Sequence, residues 1–405
     1  MNKVLLGIVN VLILSCLYTS ALGQERKFSP KKVAFGKGIT HINKDSTFKI
    51  KFHFRMQHLL SAGLDEETGV ASSQFLIRRS RLKFGGYVLN PNIEYKVELG
   101  LSNRDLAIDK EDGNTRDAGR LILDAVLKWK FSKNWALWVG QTKLPGNRER
   151  LVSSANLQFV DRSLVNSKYT LDRDAGIQLR GKFKSGNTIL MPSIAISQGE
   201  GRNITSQNFG GHDYTFHLDI LPFGAFTNKG DLILSDLDRE PSPKLAIGLT
   251  YDYNDKAVRQ GGQLGRFVLD QDGNYVENSL RTFFADLLFK YRGFSVLSEY
   301  VDKAGTDQTP DSVGGGFSDD FLTGTGLTTQ AGYLFRNNIE LAFRYTNIRR
   351  DSDFSSISDE DQYTLAISKY IVGHSLKVQG DITRRSFPGK EHGRYLFRMQ
   401  VEMQF

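Results

Sequence analysis

Residues 74–86 place four cations in six positions: Arg78, Arg79, Arg81 and Lys83. If Leu82 and Phe84 face an apolar medium, Arg79, Arg81 and Lys83 share the opposite face, because successive side chains of a strand alternate. Phe75 and Ile77 have the other parity. A bulge near residues 78–80 is therefore expected, with Arg78 either occupying it or snorkelling. The preceding strand offers Lys49, Lys51, His53 and Arg55 on its polar face. Like charges on paired strands destabilise a sheet, and a cation turned to lipid costs about 2–4 kcal/mol near the midplane. These cations are therefore expected to face water and to serve an anion. Lys128, Lys130, Arg180 and Lys182 extend the set. A generally polar, solvated interior without a binding site is the alternative. Inward carboxylates on later strands, Asp286, Glu299, Glu340, Asp381 and Glu402, argue against a uniformly cationic interior.

A second basic stretch lies between strands. Residues 143–172 carry Lys143, Arg148, Arg150 and Arg162 around Pro145, Gly146 and Asp161. The segment exceeds the roughly 12–15 residues of an ordinary structureless loop, which points to function. Folded into an interior, it would form a constriction and bring its cations there. The alternative is an exposed loop paired by its own Glu149 and Asp161. The candidate anion-contacting residues are Lys51, Arg55, Arg79, Arg81, Lys83, Lys143, Arg148, Arg150, Arg162 and Arg180.

Such side chains need strands to aim them, and period-two runs recur along the chain. Phe48, Ile50, Phe52, Phe54 and Met56 alternate with the basic residues just named. At the end, Tyr395, Phe397, Met399, Val401, Met403 and Phe405 alternate with Arg398, Gln400, Glu402 and Gln404. That final run has the length of one tilted strand crossing a bilayer, about 9–11 residues. About sixteen such runs occur, an even number, as antiparallel closure requires. Short turns at 90–92, 132–134, 185–187, 291–293, 336–338 and 372–374 alternate with long polar connections. The long ones are 58–73, 103–118, 143–172, 198–211, 254–279, 302–325, 349–359 and 386–393. Residues 223–242 fall where a short turn is due, so a periplasmic excursion is expected there. A soluble β-sandwich has no reason to alternate its loop lengths. The expected fold is all-β: a transmembrane antiparallel β-barrel over residues 47–405, with short periplasmic turns and long extracellular loops. Trp129, Phe131 and Trp135 cluster at one short turn like an interfacial girdle. Trp138 has the opposite parity from Trp135 and need not belong to it.

Hydrophobic content is 40%, below the roughly 45–50% of soluble domains, and mean hydropathy is −0.35. A wide barrel accounts for this, since water wets every second residue from within. The formal charge of +8 suits anionic solutes. Lys3, the apolar stretch 4–14 and the small residues Ala21 and Gly23 read as a secretory signal peptide over 1–23. Residues 24–46 then form a periplasmic N-terminal segment. An uncleaved anchor, or a lipoprotein site at Cys16, are the alternatives. Cys16 is the only cysteine, so the mature chain is expected to lack thiol chemistry. The histidines show no compact metal spacing. Asp270-Gln-Asp-Gly-Asn274 lacks the glutamate that ends an EF-hand loop. No catalytic pair, metal site or cofactor is expected, and no nucleic acid, because the cations interleave with apolar residues.

Several motifs resemble the phosphate-selective porin O and P family. They are Phe35-Gly-Lys-Gly-Ile-Thr40, the Arg-Arg-Ser-Arg-Leu run with Gly85-Gly86, Gly140-Gln-Thr-Lys-Leu-Pro-Gly146, and Phe159-Val-Asp-Arg-Ser163. Arg173-Asp-Ala-Gly-Ile-Gln178, Gly199-Glu-Gly-Arg-Asn203 and Phe289-Lys-Tyr-Arg-Gly-Phe294 continue the series. The resemblance implies a sixteen-stranded trimeric channel of the bacterial outer membrane, carrying anions or phosphate in its best-known members. The expectation is a porin: passive diffusion of small anionic solutes through a barrel in outer-membrane lipid, and no enzyme. The alternatives are a plugged barrel serving adhesion or assembly, and a barrel hydrolase.

Overall fold

The computed structural model describes residues 35–102, 105, 121–204, 208–270, 272–306, 321–351 and 359–405. The signal-peptide reading and nearly all of the connection 103–118 lie outside these residues. Within them the wall strands are β1 (Phe48–Asp65), β2 (Ala71–Val88), β3 (Asn90–Gly100), β4 (Ile122–Trp129) and β5 (Trp135–Lys143). β6 is Arg173–Gly181, continued after a one-residue break by Phe183–Ser185. There follow β7 (Thr188–Ser197), β8 (Asp213–Leu221), β9 (Lys244–Ala257), β10 (Asn278–Tyr291) and β11 (Phe294–Gly305). The last five are β12 (Gly324–Leu334), β13 (Ile339–Arg350), β14 (Glu360–Val372), β15 (Leu376–Ser386) and β16 (Arg394–Gln404). A separate short strand, Ile39–Ile42, pairs with the start of β1.

Each wall strand pairs antiparallel with its successor, and β16 returns to β1, from Arg394 opposite Asp65 to Gln404 opposite Arg55. The sheet is thus a closed sixteen-stranded barrel. Closure satisfies every ladder group within the wall, the condition for spanning hydrocarbon with strands. The side chains sort as the alternation requires. Leu365 is 60% exposed and Leu341 50%, while Lys290 and Lys377, on the inner face, are 2% and 0% exposed. Apolar side chains face out and charged ones face in, the inverse of a soluble domain.

Turn chemistry fixes the short rim. At the β10–β11 hairpin, Arg292 and Gly293 have φ of 47° and 89°, the paired positive angles of a two-residue turn matched to strand twist. On β1–β2, Gln57 opposes Arg79 and His58 opposes Ile77. Arg78 is therefore the extra residue, so the expected bulge is present and Arg78 occupies it. Arg79, Arg81 and Lys83 then keep one parity.

One expected connection is corrected. Residues 58–73 are not a long loop, because β1 and β2 stay paired up to Leu64 opposite Ala71. Consecutive leucines hid the strand: Leu59 is buried on the inner face while Leu60 is exposed on the outer one, which erases the polar-apolar alternation.

Because Leu365 sits near the middle of β14 on the outer face, Leu365→Arg should destabilise the barrel by about 2–4 kcal/mol. Urea titration of the folded protein in phospholipid vesicles reads this directly. A loss under 1 kcal/mol, within ordinary surface effects, would mean Leu365 does not meet hydrocarbon.

Candidate functional site

Residues between β5 and β6 turn into the barrel. They form two short helices, α1 (Arg148–Leu151) and α2 (Leu164–Tyr169), and Ser163 Oγ caps α2 by accepting from the Asn166 amide at 3.2 Å. Val165, Tyr169 and Leu171 pack against Phe284, Val301 and Ile348. The inner face of β12 makes room with glycine: a Cβ at Gly326 would lie 2.9 Å from Val165, and one at Gly332 would lie 2.0 Å from Gln158.

The segment crosses the lumen and is held at both ends by charge. On one side it meets acids. Arg148 pairs with Asp219 of β8 and Asp286 of β10. Asn147 Nδ2 donates to Glu299 of β11 at 2.9 Å, and Gln158 donates to Glu340 of β13 at 2.7 Å. The Val160 amide donates to Asp381 of β15 at 3.1 Å. On the other side it meets bases. Asp161 receives both Arg78 Nε and Nη2, at 3.1 and 3.0 Å, and Arg79 at 3.0 Å. Burial pushes the Asp161 carboxyl up, but Arg79, Arg78 and Arg398 outweigh it and hold it well below the usual carboxylate range.

The excursion 223–242 closes the acidic side from the short-turn rim. It opens on a 3-10 turn, Thr227–Leu232, and Phe226 and Leu234 pack with Val152 and Leu157 of the crossing segment. Ser235 donates to Glu340 at 2.7 Å, and Lys290 donates to the Ser235 carbonyl at 2.8 Å.

What stays open is a cavity of about 1420 Å³. Its lining runs from Ser132, Lys133 and Asn134 on a short turn to Phe387 and Arg394 at the opposite rim, so it traverses the wall from end to end. Lysine and arginine outnumber aspartate and glutamate along it by about three to one. The inward carboxylates Asp286, Glu299, Glu340 and Asp381 do not line it. They are covered by the crossing segment, which corrects their weight against a cationic passage.

Among the candidate residues, Arg55, Arg79, Arg81, Lys83, Lys143, Arg150, Arg162 and Arg180 line this cavity; Lys51 and Arg148 do not. Lys51 opposes Gly85 near the start of β1, and Arg148 is spent on its two aspartates. Arg55 donates to Ser154 at 2.8 Å, and Arg81 pairs with Asp105 at 3.2 Å. Lys143 Nζ donates to the Leu151 and Val152 carbonyls at 3.1 and 3.3 Å, and Arg162 donates to the Glu149 and Val152 carbonyls at 2.9 and 2.7 Å. Those two cations thus bond backbone oxygens, and neither forms an ion pair with a carboxylate among the described residues. Sequence reasoning missed Asp161 as the anchor of the wall arginines and Arg398 as a lining residue. Its inner-face position on β16 was legible for Arg398; for Asp161 nothing local could name the partner.

The family model for phosphate-selective porin O and P matches residues 51–235, so the resemblance carried by the motifs holds over that stretch. A protein of Aquifex aeolicus described as uncharacterized is 23% identical over 338 residues, 75% of this chain and 74% of its own length. Among solved structures, the anion-selective porin from Comamonas acidovorans superposes with a TM-score of 0.52 at 10% identity, covering 88% of this chain and 99% of that one. Salmonella typhi OmpF gives 0.52 at 12% identity, with 91% and 100% covered. The outer membrane channel DcaP of Acinetobacter baumannii gives 0.52 at 12%, with 90% and 99% covered. These likenesses establish the porin fold. Together with the family match they support an outer-membrane channel rather than an enzyme.

Arg148→Ala would leave Asp219 and Asp286 buried without their cation, which costs about 3–5 kcal/mol. In planar bilayers the variant should show noisier and larger single-channel currents as the crossing segment loosens. Currents indistinguishable from the parent's would mean that Arg148 does not hold the crossing segment in place.

Proposed function

We propose that this chain is a passive diffusion channel of the bacterial outer membrane that favours small anions, phosphate or a similar oxyanion among them. One observation carries the reading: the passage is lined by cations whose excess over carboxylates persists from rim to rim. A low-dielectric wall focuses that field and raises the local concentration of anions. The crossing segment 143–172 acts as the constriction, with Lys143, Arg150 and Arg162 at its wet face. The family resemblance and the residues 51–235 that match it support phosphate as the solute class, and a homotrimer as the assembly. An N-terminal signal peptide over 1–23 would deliver the chain to that membrane.

Reversal potentials in a potassium chloride gradient test the reading. The channel should favour chloride over potassium several-fold, and Arg81→Gln with Lys83→Gln should reduce that preference without abolishing conduction. Arg81 and Lys83 suit this purpose because neither touches the crossing segment's anchor, Asp161. A parent channel that favours potassium, or no current at all, would sink the proposal. Cross-linking in detergent reads the trimer separately.

A further inference from the structure

At the long-loop end of the barrel, neighbouring strands and one folded loop enclose a pair of carboxylates that no cation pairs. Asp213 opens β8 and opposes Ser197 of β7 and Asn254 of β9. On the same inner face, Thr215 opposes Asp252 of β9, which opposes Thr282 of β10. Residues 258–268 fold over this group as a small hairpin, with Arg259 opposite Phe267. Val268 packs with Ala257, Leu280 and Phe321 to hold the hairpin down. Asp213, Asp252, Asn254, Gln263 and Thr282 are each at most 2% exposed, and none lines the passage.

Gln263 Nε2 donates to Asp213 Oδ2 at 2.6 Å, Ser197 Oγ to the same oxygen at 3.4 Å, and Thr215 Oγ1 to Asp252 Oδ1 at 2.8 Å. The two carboxyl groups stand within hydrogen-bond reach of each other. Buried carboxylates so placed repel unless a proton or a cation lies between them. The basic neighbours are turned elsewhere. Lys303, opposite Thr282, donates to the Gly261 carbonyl at 2.8 Å. Arg259 donates to the Glu200 and Gly265 carbonyls at 2.9 and 3.0 Å. Neither aspartate has an ion pair among the described residues. A further carboxylate, Asp174, is met by the Ala175 and Gly199 amides at 2.8 and 2.6 Å.

A shared proton would satisfy Asp213 Oδ1 and leave the neutral oxygens unmet. Asn254 Oδ1, Gln263 Oε1 and Thr282 Oγ1 are, like Asp213 Oδ1, buried without a hydrogen-bond partner. Turning either amide over does not help. Gln263 would lose Asp213 Oδ2, and Asn254 would lose the Gly199 carbonyl, to which its Nδ2 donates at 2.8 Å. A Cβ at Gly199 would lie 2.8 Å from Asn254 Oδ1, so glycine keeps that oxygen uncovered. Among the described residues no group of three acidic, histidine or cysteine side chains is placed to hold a metal; here neutral oxygens complete a carboxylate pair.

We propose that Asp213 and Asp252, with the side-chain oxygens of Asn254, Gln263 and Thr282, bind one calcium ion that fastens the hairpin 258–268 to the barrel wall. The proposal goes beyond the anion-favouring reading and does not rest on it, because the site lies off the passage. Calcium takes about six to eight oxygen ligands, carboxylate and amide oxygens among them. Magnesium keeps several waters of its own, for which a site this buried has no supply. Leu264, next to Gln263, lines the passage, so the ion fixes the shape of the outer mouth.

The protein is refolded in detergent free of lipopolysaccharide, whose phosphates bind calcium. It is then loaded with calcium chloride and gel-filtered into metal-free buffer. Atomic emission should find about one calcium per chain, and none in Asp213→Asn with Asp252→Asn. No retained calcium in the parent, or equal retention in the variant, overturns the site. If that variant does not refold, Gln263→Ala decides. Calcium affinity by isothermal titration should fall at least about ten-fold, and unchanged affinity rejects the site. Thermal unfolding separates the ion from a shared proton. Calcium chloride should raise the melting temperature and EGTA reverse the rise, whereas magnesium chloride at equal ionic strength does not substitute. A midpoint that follows pH and ignores calcium assigns a proton to the pair and removes the ion. None of these readouts depends on which solutes the channel passes, so they stand or fall apart from its selectivity.

Discussion

A wall that must show hydrocarbon-compatible side chains outside has only one place for its charge. Once β16 pairs with β1, half of every strand points into a confined space, and there both acids and bases accumulate. They are not evenly mixed: inward bases dominate β1 to β6, and inward acids are concentrated on β8 to β15. Left to water, the two walls would offset each other across the lumen and leave no net field for a solute. The segment 143–172 prevents this. It carries Arg148 to the acidic wall and Asp161 to the basic wall, so its own charges orient it.

The consequences for permeation differ between its two faces. Toward β8–β15 the segment is dry: Val165, Tyr169 and Leu171 meet Phe284, Val301 and Ile348, and the wall carboxylates are consumed as hydrogen-bond acceptors. Toward β1–β6 it presents Lys143, Arg150 and Arg162, two of which are tied to backbone carbonyls rather than to acids. A carbonyl oxygen satisfies a donor without removing its charge. The passage therefore remains cationic although the lumen as a whole holds many carboxylates. The excursion 223–242 completes the dry side from the opposite rim.

Much of this was open to a reader of the sequence, for a reason particular to strands. Alternation is a local property, so Phe48 to Met56 and Tyr395 to Phe405 declare their faces without knowledge of their neighbours. The parity conflict between Ile77 and Leu82 likewise announced the bulge that Arg78 fills. The pattern failed where side chains of one type stood on both faces, as at Leu59 and Leu60, and there a strand was read as a loop. It also misjudged Asp286, Glu299, Glu340 and Asp381: their inward orientation was right, but not their exposure to the passage.

Which charge meets which was decided only by closure. Arg148 lies far along the chain from Asp286, Gln158 from Glu340 and Arg78 from Asp161, and no spacing rule links such pairs. Strand count, face and the basic character of the N-terminal wall are properties of short stretches, and the residues alone determined them. The division of the lumen into a dry acidic half and a wet basic half requires sixteen strands in register and a segment long enough to cross between them. That is a property of the assembled cylinder, because burial and partner choice depend on distances that exist only after β1 and β16 join.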